Sequence, residues 1–367
     1  MKILFLARST LYTVFGGDTV QVESTAKYLR KKGLEVDIKL SGEHIDYTPY
    51  DLLHFFNIIR PADILGHISK TKKPFVVSTI FVDYSEYEKN HRTGIYGLWT
   101  RLISGDRLEY MKAVARWIKN GERIQSRSYL YRGHAASVRY IAQKAALLLP
   151  NSESEYRRFA KQYGMDVPHR VIYNGIDPDI FMKSTAMEKP ESRNPKLVLC
   201  VSRIEGRKNQ LNLIKALNHT EYSLYLIGEP SANHLPYYEA CKKAAADNIH
   251  FLGFVAPDQL SNYYRNACVH VLPSWNETCG LSSLEAACNG CNIVVTRKGD
   301  TEEYYGKEAW YCDPAVPDSI FKAIDQAAKQ PYPPTLRERI IKEFTWEKTA
   351  EDTLAAYRTV LLATQNK

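Results

Sequence analysis

The sequence lacks long hydrophobic runs, and no cysteine precedes residue 200. No stretch approaches the roughly 18 consecutive apolar residues that a membrane-spanning helix needs. The first residues, MKILFLARSTLY, form an apolar run that is too short for a signal peptide and has no small-residue cleavage site after it. We therefore expect neither a transmembrane segment nor a secretory leader, and we predict a cytoplasmic location.

Cysteine usage also argues against a secreted disulfide framework. All seven cysteines lie between Cys200 and Cys312, and an odd number confined to one half of the chain does not fit such a framework. Cys288 and Cys291 form an isolated C-x-x-C pair, without the second pair or nearby histidine that a metal site requires. We interpret the cysteines as buried thiols.

The charge is mildly basic and unevenly distributed. The formal net charge is +8, and between Arg101 and Lys144 ten Lys and Arg residues stand against three Asp and Glu residues. Aromatic residues recur among these cations: Trp99, Tyr110, Trp117, Tyr129, Tyr131 and Tyr140. The segment is interpreted as long basic helices that either dock on an anionic membrane or present a solvated face. No nucleic-acid-binding module accompanies the charge, so nucleic acid is not predicted as a partner.

Short apolar strands alternate with helices in both halves of the chain. A strand at 2–7, a Gly16-Gly17-Asp18 loop, a helix at 19–32 and a strand at 34–40 form the opening of a doubly wound domain. Further strands are predicted at 52–56, 75–78 and 146–150. After a polar stretch at 183–194, strands follow at 197–201, 223–227, 250–251, 269–272 and 293–296. This restart predicts two α/β domains with parallel sheets.

Three loops follow strand ends, which is where α/β proteins bind ligands. The loop after 197–201 carries Arg203, Arg207 and Lys208, which either bind phosphate or form a solvated surface. The loop after 269–272 opens a helix, and free N–H groups at a helix start bind anions. Glu285 in that helix either accepts from a ribose or caps the first turn. The Gly16-Gly17 loop is the third candidate, with a tight turn as its alternative.

Combined, these motifs resemble glycosyltransferase family 4 of the GT-B fold. The motifs are Arg203-x4-Lys208, Gly253-Phe254-Val255 and Glu277-x7-Glu285 within NETCGLSSLEAACNGCNIVVT. The resemblance extends to KILFLARSTLYTVFGG, NSESEYRRFAKQYG, VIYNGID, Gly299-Asp300-Thr301-Glu302-Glu303 and FTWEKTAEDTLAAYR. It implies two Rossmann-like domains with an interdomain crevice. Residues 1–174 would be the acceptor-side domain, residues 175–345 the nucleotide-sugar domain, and the helix at 346–367 would pack back on the first.

The resemblance also implies roles for the cations and carboxylates. Arg203 and Lys208 would hold the donor diphosphate and stabilise the charge that develops on the departing nucleotide. Glu277 would contact hydroxyls of the donor sugar, and Glu285 would accept from the ribose. Asp83 is included as a candidate catalytic residue.

The remaining implied contacts come from backbone groups and the base pocket. The N–H groups of Cys279, Gly280 and Leu281, beside Thr278, would face the diphosphate or the sugar. Phe254 and Val255 would line the base pocket. Gly16 and Gly17 would approach the donor phosphates from the opposite domain.

The chain departs from the family pattern at a histidine that many members carry after the strand at 75–78. Ile80 lies near that position, and Asp83 or His91 either substitutes for the histidine or is an ordinary loop residue. His54 resembles another family position, or is a core histidine with satisfied hydrogen bonds. Thr278-Cys279 replaces a more usual Gly-Phe pair.

The implied activity is retaining transfer of a sugar from a nucleotide sugar, UDP-sugar first and GDP-sugar second. The acceptor would be a saccharide or lipid-linked molecule in surface polysaccharide or glycan biosynthesis, with peripheral contact at the inner membrane face. No metal or other cofactor is expected. Asp177-Pro178-Asp179 has the D-x-D spelling of a metal-binding motif, but it lies in a turn region and is interpreted as structural. The alternatives are a catalytically inactive sugar-nucleotide-binding subunit and a GT-B epimerase or phosphorylase.

Overall fold

A computed structural model describes residues 1–82, 87, 110–111, 126–182 and 193–365 of the chain. These residues fall into two compact units. The first unit comprises 1–81, 88–174 and 346–367, and the second comprises 82–87 and 175–345. Asp83, His91 and most of the basic segment 101–144 lie outside the described residues.

The first unit is built on a five-stranded parallel sheet in the order β2-β1-β3-β4-β5. Its strands are β1 (Lys2–Ala7), β2 (Glu35–Leu40), β3 (Leu52–Phe56), β4 (Phe75–Ser78) and β5 (Leu147–Leu149). Its helices up to residue 174 are α1 (Gly17–Lys31), α2 (Pro61–Ile68), α3 (Arg127–Arg132), α4 (His134–Lys144) and α5 (Glu153–Tyr163). Strands β1 and β3 are buried along almost their whole length, because helices cover both faces of a parallel sheet.

The part of the basic segment that the structure describes is not one long helix. Gly133 has a φ of 73° and separates α3 from α4. Tyr129 is fully buried in the core of the first unit, whereas Tyr131 is 89% exposed. The predicted helices between 126 and 144 are therefore two shorter ones that meet at Gly133, a glycine that the sequence offers as a turn signal, and Tyr129 belongs to the core and not to a surface. No helix among the described residues is long and apolar enough to cross a membrane.

The second unit contains a six-stranded parallel sheet in the order β11-β10-β9-β6-β7-β8. Its elements begin with α6 (Pro178–Met182), β6 (Asn194–Val201), α7 (Gln210–Leu217), β7 (Ser223–Ile227), α8 (Leu235–Ala244) and β8 (Ile249–Gly253). They continue with α9 (Pro257–Asn266), β9 (Ala267–Leu272), α10 (Leu281–Cys288), β10 (Asn292–Thr296) and α11 (Thr301–Tyr305). The unit closes with β11 (Trp310–Cys312), α12 (Pro317–Ala328) and α13 (Pro334–Glu343).

The last helix, α14 (Trp346–Gln365), returns to the first unit and packs on α1. It buries Ala350, Ala356 and Tyr357 completely. The Tyr357 hydroxyl lies 2.6 Å from Nδ1 of His54 on β3. The helix therefore completes the core of a unit whose other elements precede residue 175.

The two ends of the segment 175–345 lie next to each other. The N–H of Ile176 donates to the carbonyl of Phe344 at 2.9 Å, and Ile176 forms a parallel bridge with Thr345. A Cβ on Gly175 would overlap the backbone of Thr345, so only glycine fits there. Asp177, from the D-x-D sequence, is buried just before α6.

Candidate active site

Three loops of the second unit meet at the carboxyl ends of its strands. The Ser202 N–H donates to the carbonyl of Ile227 at 3.0 Å, and the Gly228 N–H donates to that of Gly253 at 2.8 Å. Ser282, in the first turn of α10, donates from Oγ to the carbonyl of Val201 at 2.8 Å. These hydrogen bonds bring together the two predicted loops after β6 and β9 and the Gly253-Phe254-Val255 motif after β8.

The loop after β6 gathers cations around one buried carboxylate. Glu205 is 2% exposed, and its oxygens lie 3.4 Å from the Arg203 guanidinium and 3.2 Å from that of Arg207. Burial alone would raise the pKa of Glu205, but Arg207, Arg203 and Lys208 outweigh it and hold the pKa below its usual value. Glu205 was not among the predicted site residues.

Lys208 and Glu277, which the sequence placed in one site, form an ion pair. Nζ of Lys208 donates to Oε2 of Glu277 at 2.6 Å, and Ser274 Oγ donates to the same oxygen at 2.8 Å. Both partners are largely buried, with side-chain exposures of 21% and 8%. This pair links the loop after β6 to the loop after β9.

The backbone of Glu277 is fixed by the loop after β10. The Glu277 N–H donates to the carbonyl of Lys298 at 2.9 Å, and the Asp300 N–H donates to the carbonyl of Glu277 at 2.9 Å. Gly299 lies between these contacts with a φ of 115°, and a Cβ there would overlap the Glu277 carbonyl. The glycine at 299 is therefore a steric requirement of the site loop.

Helix α10 begins at this edge, where the N–H groups of Ser283 and Leu284 donate to the carbonyl of Gly280 at 2.8 and 3.1 Å. Gly280 adopts a left-handed conformation, with a φ of 62°, and Leu281 is the first helical residue. Tyr305 donates its hydroxyl to the carbonyl of Cys279 at 2.6 Å and lies 3.2 Å from that of Gly280. Cys279 and Gly280 are both buried at this point. A helix start held in this way suits an anionic group.

Glu285 is partly buried and lies one turn into α10. The Tyr264 hydroxyl donates to its Oε2 at 3.0 Å. Burial raises the pKa of Glu285 to about 7, and the hydrogen bond from Tyr264 opposes this shift only in part. At neutral pH the carboxyl group can therefore be either a donor or an acceptor toward a ligand hydroxyl.

Phe254 and Val255 follow β8 at the same edge of the sheet. Phe254 is 71% exposed although it is a large apolar side chain. Gly253, which precedes it, has a φ of 69°. An exposed aromatic face beside a cation-rich loop is available for stacking on a planar ligand, and the predicted role in a base pocket stays a prediction.

The Gly16-Gly17 loop of the first unit follows β1 and is held by Arg8. Nε of Arg8 lies 2.5 Å from Asp18 Oδ2, and its two terminal nitrogens donate to the carbonyls of Thr10 and Val14 at 2.7 and 2.6 Å. Gly17 has open space around its Cβ position and no left-handed φ. The fold itself therefore does not require glycine at 17, and its predicted contact with donor phosphates stays a prediction.

The sequence left two interpretations of His54 open: a family site position or a core histidine. It is 1% exposed, with Tyr357 on Nδ1 and the Ser78 hydroxyl 2.8 Å from Nε2. Burial lowers its pKa to about 3. His54 is thus a core histidine with both ring nitrogens satisfied.

Ile80, near the missing family histidine, has an unusual backbone. Its φ is 45°, a left-handed value that is strained for a β-branched residue. The neighbouring residues are fixed by the buried carboxylate of Glu155, which accepts from the Thr79 hydroxyl and, at 2.7 Å, from the Phe81 N–H. This network holds the end of β4 in place at the carboxyl edge of the sheet, between β3 and β5.

The cysteines are free thiols, and all except Cys268 are buried. Cys291 donates from Sγ to the carbonyl of Tyr264 at 2.9 Å, and burial raises its pKa to about 12. Among the described residues, no three His, Cys, Asp or Glu side chains are grouped so that they could hold a metal ion. The C-x-x-C pair therefore consists of packed thiols.

Sequence reasoning missed several residues that shape this site. Glu205 lies among the cations of one selected loop and Ser274 lies in the other, and this position in the sequence was their available signal. Tyr264 and Tyr305 gave no signal, because they reach the site from α9 and α11, 21 and 26 residues away from their partners.

Comparison with known proteins finds a family match over part of the chain and several similar proteins. Residues 182–345 match the family described as Glycosyl transferases group 1. The lipopolysaccharide core biosynthesis mannosyltransferase LpcC of Rhizobium leguminosarum is 30% identical over 149 residues, which are 37% of this chain and 42% of that protein. The chain spans about half the length of the first curated relatives that it matches, between 42% and 55%.

Solved structures share the fold. Sucrose-phosphate synthase from Thermosynechococcus elongatus superposes with a TM-score of 0.75 at 16% identity, over 99% of this chain and 100% of that one. HepE of Anabaena, in complex with UDP and glucose, has a TM-score of 0.67 at 16% identity, over 98% and 100% of the two chains. The predicted GT-B fold and the resemblance to glycosyltransferases are confirmed, while the narrower assignment to family 4 stays a prediction.

Proposed function

We propose that this chain, with a glycosyl transferases group 1 match over residues 182–345 and a GT-B fold, transfers a sugar from a nucleoside diphosphate to an acceptor with retention. The observation that carries the proposal is the juxtaposition of Arg203 and Lys208 with the start of α10 at Gly280. Cations and the start of a helix lie together at one edge of the sheet, and both kinds of group bind phosphate.

The chemistry follows from the charge that develops when the bond between sugar and phosphate breaks. The departing nucleoside diphosphate gains negative charge, and donors fixed in advance stabilise that state more than the ground state. Loss of one such donor typically lowers the rate by roughly 10²–10³. Arg203 and Lys208 would supply the positive charge that a divalent metal supplies in other enzymes, so transfer should persist in the presence of a chelator.

The remaining roles follow from position along the sheet edge. Glu277, already bound to Lys208, would meet hydroxyls of the donor sugar next to the diphosphate. Glu285 would bind the ribose, and Phe254 with Val255 would contact the base. UDP is the first candidate for the nucleotide, in line with the HepE complex, and GDP is the second.

The acceptor is proposed to be a saccharide or lipid-linked molecule, as the name of the LpcC relative suggests. Contact with an anionic membrane through the segment Arg101–Lys144 would bring such an acceptor within reach. In the described part of that segment, Arg132 stacks 4.3 Å from the Tyr140 ring centroid, and Tyr131 is exposed. Sedimentation with anionic vesicles at low and high salt tests this contact, and no binding at low salt would end the idea.

Thermal shift without metal tests the donor site. UDP-, GDP- and ADP-sugars are added to the wild type, to Glu285→Ala and to the control Glu221→Gln, which changes an exposed residue. A ligand present at a hundredfold excess over its Kd stabilises the protein by roughly 2.7 kcal/mol, enough to raise Tm by a few degrees. We expect one nucleotide class to raise Tm for the wild type and the control but not for Glu285→Ala.

No shift with any nucleotide would contradict the donor site. Binding without turnover on a panel of acceptors would instead favour the alternative of an inactive sugar-nucleotide-binding subunit. Ile80 in place of the family histidine is the feature that motivates this alternative. Donor hydrolysis or isomerisation without acceptor, or phosphate-dependent glycan breakdown, would favour an epimerase or a phosphorylase.

A further inference from the structure

Glu205 is a carboxylate at this edge that contacts two guanidinium groups. Its oxygens lie 3.4 Å from Nη2 of Arg203 and 3.3 and 3.2 Å from Nη2 of Arg207. Nε2 of His234, after β7, lies 3.8 Å away. With 2% of its surface exposed, Glu205 lies beneath this cluster and not at its rim.

A buried carboxylate at this position needs a reason, because burial of a charge is costly unless the charge is paired. Here the surrounding cations keep Glu205 ionised. The cations in turn need the carboxylate, because Arg203, Arg207 and Lys208 lie within six positions of one another and repel. The pairing therefore compacts a loop that like charges would otherwise spread.

The loop around Glu205 is also tied to the rest of the site. The Lys208 N–H donates to the Glu205 carbonyl at 2.8 Å, and the Trp275 N–H donates to the Arg207 carbonyl at 3.0 Å. Movement of Glu205 would therefore reach both Lys208 and the loop that carries Glu277. The Glu205 side chain pairs with Arg203 and Arg207, and its backbone carbonyl accepts from Lys208, so both parts of the residue contact the same group of cations.

We propose that Glu205 is a positioning residue for the diphosphate site, holding the guanidinium groups of Arg203 and Arg207 in the orientation that the departing nucleotide requires. Glu205 touches no substrate in this scheme and acts through the arginines. The inference rests on the proposed function, since it assigns the cations to a nucleoside diphosphate. The Glu205 carboxylate has two effects in this scheme. Its negative charge weakens the binding of an anion in the ground state, and its hydrogen bonds orient the two guanidinium groups for transfer.

Glu205→Gln tests the two effects together. Without the negative charge, UDP should bind at least threefold more tightly at low ionic strength, and the affinity should fall more steeply with salt than in the wild type. Binding of uridine, which has no phosphate, should not change. UDP release from UDP-glucose in the presence of acceptor should slow at least tenfold, because the arginines lose their fixed orientation.

Two further variants separate charge from orientation. Glu221→Gln removes an equal charge from an exposed position of the same unit, paired with Lys196, and should match the wild type in every assay. Glu205→Gln combined with Arg207→Gln restores the net charge of the loop. Its salt dependence should return to that of the wild type, while turnover stays low because Arg203 still lacks its partner.

The outcomes distinguish this inference from the proposed function. If the wild type binds UDP and turns over but Glu205→Gln has turnover within threefold of it, the positioning role is wrong. Equal changes for UDP and uridine would also overturn it, because they indicate general loss of structure. If the wild type binds neither UDP nor GDP, the proposed function fails and this inference fails with it. Should Glu205→Gln not fold, the double variant is compared with Arg207→Gln alone: at least tenfold lower turnover in the double variant supports the positioning role, and equal turnover overturns it.

Discussion

Two glutamates of the second unit are buried under opposite electrostatic conditions. Glu205 is surrounded by cations, which keep its pKa below the usual value. Glu285 has the Tyr264 hydroxyl as its hydrogen-bond donor, and burial raises its pKa from 4.5 to about 7. A carboxylate with full positive charge nearby stays ionised, whereas one with only a neutral donor takes up a proton near neutral pH.

The raised pKa of Glu285 predicts a pH-dependent stability. The folded state binds this proton more tightly than the unfolded state, so the stabilisation is present below pH 4.5 and is lost as pH rises through about 7. Between pH 5.5 and 8.5 the unliganded wild type should lose on the order of 1–2 kcal/mol that Glu285→Gln does not lose.

Urea denaturation of both proteins at several pH values measures this difference. Titration of other groups, such as His54, affects both proteins equally and cancels in the comparison. Parallel pH profiles for wild type and Glu285→Gln would contradict the assignment of a raised pKa to Glu285.

Loops at strand ends depend on single glycines for their shape. Gly299 combines a φ of 115° with overlap between any Cβ and the Glu277 carbonyl, whereas Gly164, with a φ of 60°, has open space. Gly299→Ala should therefore cost about 3 kcal/mol or more, and Gly164→Ala about 1–2 kcal/mol for the left-handed backbone alone.

Thermal denaturation of both alanine variants checks this order. The loss in Gly299→Ala should come with weaker nucleotide binding, because Glu277 is displaced from Lys208. Equal destabilisation by the two substitutions would show that the close approach of residue 299 to the Glu277 carbonyl does not affect the free energy of unfolding.

Periodicity sufficed for most of the strands and for the helices α1 and α14, because buried parallel strands are continuous apolar runs and amphipathic helices repeat at 3.6 residues. The strand β11 and the helices α12 and α13 were missed, because they lay outside the motifs considered. Strand-end loops were found because parallel sheets collect them at one edge.

Contacts between distant residues could not be found in the same way. His54 meets Tyr357 across 303 positions, and nothing in the sequence near either residue distinguishes a core histidine from a ligand. Glu205 looked like one more charge in a polar loop, since burial is set by the fold and not by the neighbouring residues. The sequence therefore indicated which loops form the site but not which charges neutralise one another within it.

Helix α14 belongs to the first unit only, so a substitution in this helix should affect the stability of that unit. Tyr357 is completely buried and provides the hydrogen bond to His54. Tyr357→Ala should destabilise the first unit by about 3–5 kcal/mol, through the cavity and the exposed ring nitrogen of His54. Leu362→Ala, at a 62% exposed position of the same helix, should change stability by less than about 0.5 kcal/mol.

Hydrogen exchange followed by mass spectrometry locates the effect. Exchange should accelerate in β1, β3 and α1 of the Tyr357→Ala variant, with no change in strands β6 to β10. Uniform acceleration across the chain would mean that the two units unfold as one cooperative block.

The junction at Gly175 and Thr345 has a consequence for protein engineering and for evolution. Residues 175–345 begin and end at hydrogen-bonded neighbours, so a cassette cut at Gly175 and Thr345 has both of its ends at one bridge. Exchange of that cassette for one from a relative would need a matched seam at this bridge, and the segment 82–87, which belongs to the same unit, would be exchanged with it. Recombination between related genes would have the same opportunity.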